Sequence, residues 1–287
     1  MQKAYENIEK VILSRKGFDG EAGGYASPIF EDGTMQSLPI HSPGDSRKFS
    51  EIRTSYNDYS IYDLMYRIKP YYMTAKCKRK LTVKSGCHLD PDIYKSALKR
   101  DRGWRAGFGQ AGTSEKVLQR CMIGHDDLFL FFGWFKNYSE DEDGKFIPIP
   151  HSDKHVIFGY MQVDFVARSP EEVPGYMEEH PHAWRVCEDD AIYIARRKCS
   201  WNPDIPGYGA FDFDNSLVLT KDGETRSRWD LSEFFKGLEI EYHNKGSWKH
   251  GYFQSAGRGQ EFVIEENSKV TKWAQRLINK NYKAFIE

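Results

Sequence analysis

The sequence has few cysteines and no long apolar segment, and each of these shortages excludes a class of protein. The 287 residues include five cysteines, an odd number, and no two of them have the C-x-x-C spacing. A disulfide framework and a common zinc ribbon are therefore not predicted. The first residues are polar and charged, and no apolar run approaches the roughly 20 residues that cross a bilayer. The sequence predicts a soluble, cytoplasmic protein that does not insert into a membrane.

Net charge is also nearly absent, but the charges are unevenly distributed. The chain has 41 Lys and Arg against 42 Asp and Glu, a formal net charge of −1. The segment 67–105 holds twelve basic residues and three acidic ones, so it carries +9 and leaves −10 on the remainder. Such a segment can attract the phosphates of DNA, or it can be an ordinary solvated surface. DNA is therefore a predicted partner through this segment.

The apolar runs predict the sheet of a single domain. At 287 residues the chain can bury a large core without cross-links. The run 128–132 lacks polar alternation, which is typical of a strand covered on both faces. Strands and helices are interspersed without a βαβ rhythm, which favours an α+β fold. We predict one compact domain over 1–287, with flanking helices on a mixed, largely antiparallel sheet. The predicted strands cover 11–13, 128–132, 156–163, 191–195, 216–220 and 262–265.

Three segments have the start signals of helices. The first runs from Asp90 toward Arg102, because Asp is a good N-cap and Pro91 suits the first helical position. A second helix is predicted from Thr113. A third begins at a Ser268 cap, after which apolar side chains recur at helical spacing.

Arg15 and Lys16 lie between a predicted strand and Gly17, where a cleft could receive an anion. An arginine fork can grip a phosphate or carboxylate with two hydrogen bonds, and glycine lets the ligand approach the backbone. The alternative is an internal ion pair, for example with Asp19. Neither of the two standard glycine-rich nucleotide-binding motifs is present.

Two further residues have side chains suited to a nucleobase. Gln110 lies between glycines just before a predicted helix, where its amide could hydrogen bond to a base edge or simply close a turn. Trp134 ends the strongest predicted strand, so its ring could stack on a base at a pocket mouth. Packing in the core is the alternative for this ring.

The densest polar cluster beside a strand contains Arg258, Gln260 and Glu261. The Glu261 carboxylate could act as a general base or steady an oxocarbenium-like sugar centre while Gln260 orients the nucleophile. The alternative is a buried Arg–Glu pair that joins the two ends of the chain.

His88, Asp90 and Asp92 have the residue types of a metal site. The competing explanation is that Asp90 caps a helix and Asp92 interacts with its dipole. This explanation is favoured, so no metal site is predicted, and His88 remains as a candidate acid or base. His151 and His155 are expected at the surface or at a strand edge.

Seven short blocks of the chain form a recognisable set. Together they resemble the nucleotide modification associated domain 3 family, from residue 11 to about residue 263. The resemblance implies a bacterial or phage protein encoded beside systems that modify DNA bases or nucleotides. It supplies no agreed catalytic residues, and it makes residues 1–10 an N-terminal extension. The blocks are 13–19 (LSRKGFD), 27–29 (SPI), 37–40 (SLPI), 88–92 (HLDPD), 108–110 (FGQ), 127–135 (DLFLFFGWF) and 258–263 (RGQEFV).

A second, smaller resemblance concerns the strand pattern. Residues 127–132, a polar connection and residues 155–163 resemble the paired central strands of PUA-like barrels of the ASCH and EVE type. Such domains hold a nucleobase or a modified base in a shallow pocket. This resemblance implies an alternative function, a non-catalytic reader of modified DNA.

The candidate catalytic and ligand-binding residues are predicted to line one polar pocket. The pocket would bind a nucleotide, sugar nucleotide or modified base, and an enzyme would transfer or hydrolyse a group on it. The sequence identifies no cofactor and no oligomeric state. The predicted catalytic residues are Glu261, His88 and Asp19, and the predicted ligand-binding residues are Arg15, Lys16, Gln110, Arg258, Gln260 and Trp134.

Overall fold

A computed structural model describes residues 8–283, and β-strands organise this part of the chain. Residues 1–7 of the predicted extension lie outside it. The two longest strands, β6 and β8, form the centre of the main sheet. The strands are β1 (Val11–Arg15), β2 (Ser27–Ile29), β3 (Tyr71–Met73), β4 (Lys78–Lys80), β5 (Gly107–Ala111), β6 (Leu128–Glu140), β7 (Phe146–Pro148), β8 (Lys154–Ala167), β9 (Asp190–Ala195), β10 (Tyr208–Ala210), β11 (Arg228–Trp229), β12 (Trp248–Lys249), β13 (Tyr252–Gln254) and β14 (Glu261–Ile264).

The main sheet is mixed and largely antiparallel, as predicted. Its strand order is β14-β1-β6-β8-β9-β5, and β2, β7 and β10 pair with the two central strands. Both β1 and β2 run parallel to β6, whereas the other pairs in this sheet are antiparallel. The sheet curls, so a side chain of β5 hydrogen bonds to one of β14 at the other end of the strand order. Two small sheets, β11-β13-β12 and β3-β4, lie apart from it.

Strand β6 carries the apolar run that was predicted to be covered on both faces. All five side chains of 128–132 are buried, and so is most of β8 beside them. The prediction is confirmed: the rings of Phe129 and Phe131 pack against Phe108 of β5, and the ring of Phe132 packs against Trp229 of β11. The predicted strands at 11–13, 156–163, 191–195 and 262–265 are also present.

Within residues 8–283, three α-helices lie against the sheet. Helix α1 (Ile61–Ile68) was not predicted, and it begins with a reciprocal capping box between Ser60 and Asp63. Helix α2 (Gly112–Arg120) lies close to the predicted start. Helix α3 (Ser268–Asn281) is capped by Asn267 instead of by Ser268. No helix within residues 8–283 is long and apolar enough to span a membrane.

The predicted helix from Asp90 does not form. Residues 90–92 run beside β5 instead, where Asp92 and Gly107 exchange two backbone hydrogen bonds, and only a 3-10 turn follows at Lys95–Ala97. The capping signal fails because both carboxylates have tertiary partners: Asp92 pairs with Arg100, and Asp90 accepts from a backbone N–H of β5.

One more local prediction is wrong. The segment 216–220 is a 3-10 turn, Asn215–Leu217, followed by isolated bridges and not a strand. The glycine-flanked segment around Gln110, for which a turn was one of two alternatives, is strand β5. Here tertiary packing outweighs the low strand propensity of glycine.

Asp127, at the start of the central strand β6, should make stability depend on pH. Its carboxylate accepts the backbone N–H groups of Lys10 and Gly124, yet burial raises its pKa to about 6. The folded state therefore binds this proton more tightly than the unfolded state, and stability falls as pH rises from about 4 to 6. Between pH 4.5 and 7 the wild type should lose about 2 kcal/mol more unfolding free energy than Asp127→Asn, measured by urea denaturation. Parallel pH profiles of the two proteins would contradict this assignment.

Candidate functional site

Four of the predicted site residues meet inside the curled sheet. The Lys16 ammonium lies 2.8 Å from Glu261 Oε1, and Gln110 Nε2 donates to the same oxygen at 2.6 Å. Gln110 also donates to Gln260 Oε1 at 3.2 Å. Strands β1 and β14 pair side by side, and the curl brings β5 to them, which explains why three distant segments converge. We call Lys16, Gln110, Gln260 and Glu261 the glutamate cluster.

The glutamate cluster is largely shielded from solvent. The Glu261 side chain is 0% exposed, and that of Lys16 is 8% exposed. The Lys16 ammonium also lies 4.3 Å from the centre of the Phe108 ring, a cation–π distance. Gln260 alone is exposed, so it connects the buried carboxylate with the surface.

Two buried oxygen atoms beside this cluster are unsatisfied. Within the described part of the chain, neither Glu261 Oε2 nor Ser14 Oγ has a hydrogen-bond partner. Ser14 pairs with Glu261 across the β1–β14 ladder, so the two side chains lie on the same face. A buried polar atom without a partner is costly, which makes such atoms candidates for contact with a ligand or water.

Arg15 does not join this cluster. Successive side chains of a strand point to opposite faces, so Arg15 lies on the face away from Ser14 and Glu261. Its guanidinium packs against the rings of Phe132 and Phe262 at 5.7 and 5.3 Å. It also donates to backbone carbonyl oxygens at 256 and 257, and its burial lowers its pKa. The expected single pocket that contains both Arg15 and Glu261 is therefore not formed.

Asp19 and Trp134 are also occupied elsewhere. The Asp19 carboxylate closes its own turn by accepting the backbone N–H groups of residues 21 and 22. The Trp134 ring is covered by the Arg226 guanidinium at 4.1 Å, and its Nε1 donates to Asp153 at 2.7 Å. Arg258 is exposed in the turn before β14. Asp19, Trp134 and Arg258 form no hydrogen bond or ion pair with Glu261, whose described side-chain partners are Lys16 and Gln110.

A second polar cluster lies on the other side of β5 and contains His88. The ring atoms His88 Nε2 and His182 Nε2 face each other at 3.3 Å. Each ring has a carboxylate at its other nitrogen: Asp45 Oδ2 lies 2.6 Å from His88 Nδ1, and Asp190 Oδ1 lies 2.6 Å from His182 Nδ1. Burial lowers the pKa of His182, partly offset by the Asp190 hydrogen bond.

The Asp90 carboxylate completes this second cluster. One ligand atom each from His88, Asp90 and His182 lies within 4.8 Å of the others. Asp90 Oδ1 accepts the Gly109 N–H at 2.8 Å and lies 3.4 Å from His180 Nε2. We call His88, Asp90 and His182 the histidine cluster.

Strand β5 positions both clusters. Gly109 has no side chain, and His182 occupies the space where one would be: an added Cβ would lie 2.2 Å from His182 Cδ2. The next residue, Gln110, points to the opposite face and holds Glu261. Gly109 and Gln110 are neighbours in the chain, so the two clusters are linked through adjacent residues of β5.

Comparison with known proteins agrees with the block pattern of the sequence. The model of the nucleotide modification associated domain 3 family matches residues 10–265. The chain belongs to this family. The match spans β1 to β14 and both clusters, and the family description associates the domain with nucleotide modification. No curated protein and no solved structure matches the chain significantly.

In this family member, sequence reasoning missed one of the three residues of the histidine cluster and the two carboxylates behind it. His182, with the carboxylates of Asp45 and Asp190, was not singled out, although the His-Pro-His sequence at 180–182 was an available signal. His155 was expected at the surface or a strand edge but is buried, and its Nδ1 accepts from Trp229 at 3.0 Å. His151 is exposed, as expected.

Proposed function

We propose that this protein is an enzyme of a bacterial or phage DNA-modification system. It binds a nucleotide, sugar nucleotide or modified base and transfers or hydrolyses a group on it, with Glu261 as the central catalytic residue. The observation that supports this function is the buried Glu261 carboxylate with one oxygen held and the other free. The family membership supplies the biological setting of nucleotide modification.

The proposed chemistry follows from the different hydrogen-bond partners of the two Glu261 carboxylate oxygens. Lys16 and Gln110 donate to Oε1 and fix the orientation of the group, while Oε2 has no partner among the described residues. A substrate hydroxyl or amine could donate to Oε2, and the carboxylate would then serve as general base or stabilise a developing cationic sugar. In this proposal the exposed Gln260 amide, which accepts a hydrogen bond from Gln110, would orient that substrate group.

The competing explanation is that Lys16 and Glu261 form only a structural ion pair. A purely structural buried carboxylate is expected to have both oxygens satisfied. Glu115 is such a residue: its side chain is 0% exposed, Arg168 and Gln119 donate to Oε1, and Tyr193 donates to Oε2 at 3.0 Å. Glu261 differs from Glu115 in its free oxygen, and Glu115 is therefore the matched control.

A second candidate function is a non-catalytic reader of modified DNA. The observation in its favour is that the β3–β4 hairpin and its flanks present basic side chains to solvent that form no ion pair with another described residue, whereas Arg100 and Arg105 are paired with Asp92 and Asp164. The cover on Trp134 removes the expected stacking platform, which weakens this candidate. The exposed basic residues are Lys76, Lys78, Arg79, Lys80 and Lys84.

Mass spectrometry of DNA nucleosides tests the proposed enzyme. Cells that express the neighbouring modification genes would receive wild-type protein, Glu261→Gln or Glu115→Gln. We expect wild type and Glu115→Gln to create or remove the same modified nucleoside, and Glu261→Gln to lower its change by at least about 100-fold, as expected for loss of a general base. Circular dichroism would establish that both variants are folded.

Two outcomes would contradict the enzyme. One is a nucleoside profile that wild-type protein does not change. The other is an unaltered change with folded Glu261→Gln. If the profile is unchanged and the protein binds modified DNA more tightly than plain DNA, with affinity falling steeply in salt, the reader is the better account.

A further inference from the structure

We propose that His88, Asp90 and His182 bind one divalent first-row transition-metal ion. Two imidazoles and one carboxylate are a ligand set that proteins use for zinc and for non-haem iron(II). The 3.3 Å between the two Nε2 atoms equals the separation of two ligands bound to one ion at about 2.1 Å. This proposal does not depend on the proposed enzymatic function.

The carboxylates behind the two histidines point to the same conclusion. Asp45 and Asp190 each lie 2.6 Å from an Nδ1 atom, which places the ring proton on Nδ1 and leaves a lone pair on Nε2. Both Nε2 lone pairs then face one another, an arrangement that requires either a shared proton or a metal ion between them, and the Asp90 carboxylate beside them supplies a third metal ligand. Metal-binding histidines usually donate their other ring N–H to a carboxylate in this way.

Arg185 is the nearest competitor for the His182 lone pair. Its Nη2 lies 3.1 Å from His182 Nε2 but also 3.4 Å from Nδ1. A donor along the Nε2 lone pair would be much farther from Nδ1, so Arg185 is not aligned with this lone pair. Its Nε lies 2.9 Å from Asp190 Oδ2, and this ion pair accounts for its position.

The charges of the site also suit a divalent cation. Three carboxylates, those of Asp45, Asp90 and Asp190, lie around the two imidazoles, and Arg185 pairs with Asp190. With neutral imidazoles, including that of His180 at 3.4 Å from Asp90, two negative charges are left for an ion to balance. His88 is 15% exposed at its side chain, so an ion can reach the site from solvent.

Metal titration of the full chain tests this site. Protein treated with a chelator would be titrated with Co²⁺, with its visible d–d absorption as the readout, and with Zn²⁺ by calorimetry. We expect one ion per chain, at least about 100-fold weaker binding for Asp90→Asn and His182→Gln, and about 10-fold weaker binding for Asp45→Asn. His125→Gln, an exposed histidine outside the cluster, should bind like the wild type.

Thermal unfolding distinguishes a variant that has lost metal binding from one that has lost its fold. Saturating Zn²⁺ should raise the Tm of the wild type and of His125→Gln, but not that of folded Asp90→Asn. The proposal is overturned if the wild type binds no stoichiometric ion, or if Asp90→Asn and His182→Gln bind as tightly as wild type. These readouts require no substrate, so they stand whether or not the nucleoside experiment detects a product.

Discussion

Replacing Lys16 with methionine should lower the free energy of unfolding by about 3–5 kcal/mol, because it leaves a buried carboxylate without its cation. The Lys16 ammonium is 2.8 Å from Glu261, and the Glu261 side chain is 0% exposed. Gln110 would remain as a donor to the carboxylate, but a neutral amide does not replace the lost charge. Urea denaturation followed by circular dichroism at pH 7 measures the effect.

The double variant Lys16→Met/Glu261→Gln is the control for this prediction. It removes both charges, so most of the lost stability should return, and the coupling of the two substitutions should be large. A loss below about 1 kcal/mol in Lys16→Met would show that Glu261 is not held as a buried anion. In that case the proposed role of Glu261 as a fixed base would fail as well.

A second large effect is expected from Gly109→Ala, which should weaken Co²⁺ binding by at least about 100-fold. The new methyl group would lie 2.2 Å from His182 Cδ2, and that ring cannot keep its position beside His88. The backbone N–H that holds Asp90 would remain, so the loss should come through His182. Overpacking should also cost about 1–3 kcal/mol of stability, which leaves the protein folded.

Gly44→Ala is the matched control for this glycine. It neighbours Asp45, and an added Cβ at Gly44 meets nothing within 4 Å. Its Co²⁺ affinity and Tm should equal those of the wild type. A folded Gly109→Ala protein with wild-type Co²⁺ affinity would contradict the placement of His182 in the metal site.

The sequence predicted the centre of the sheet because its strands are apolar runs. Strands β1, β9 and β14 are buried almost throughout, as are the apolar runs within β6 and β8, and such runs are distinctive without any tertiary information. Strand β5 could not be found in this way. Its glycines have low strand propensity, and they are accommodated because Met177 and His182 pack where the side chains of residues 107 and 109 would otherwise lie.

The glutamate cluster was predicted better than the histidine cluster. Lys16, Gln110, Gln260 and Glu261 were named from local polar patterns beside strands, and the curl of the sheet brings them together. Arg15 was grouped with them, but strand alternation puts it on the other face. Their catalytic and binding roles remain predictions.

The histidine cluster was not predicted because residues 90–92 were predicted to begin a helix. Asp90 was assigned to a helix cap, which removed it from consideration as a ligand. His182 lies 94 residues from His88 in the chain, Asp45 lies 43 residues from it, and Asp190 begins strand β9, so no local pattern links these residues to His88.

The nucleoside profile, measured with variants of both clusters, tests most directly whether the protein acts on nucleotides at a site built around β5. Cells with wild-type protein, Glu261→Gln, Asp90→Asn and Glu115→Gln would be compared under identical expression. We predict that wild type and Glu115→Gln produce the same modified-nucleoside change, and that Glu261→Gln and Asp90→Asn each abolish it. A wild-type profile identical to that of cells without the protein, or an unaltered change with folded Glu261→Gln and Asp90→Asn, would contradict this account.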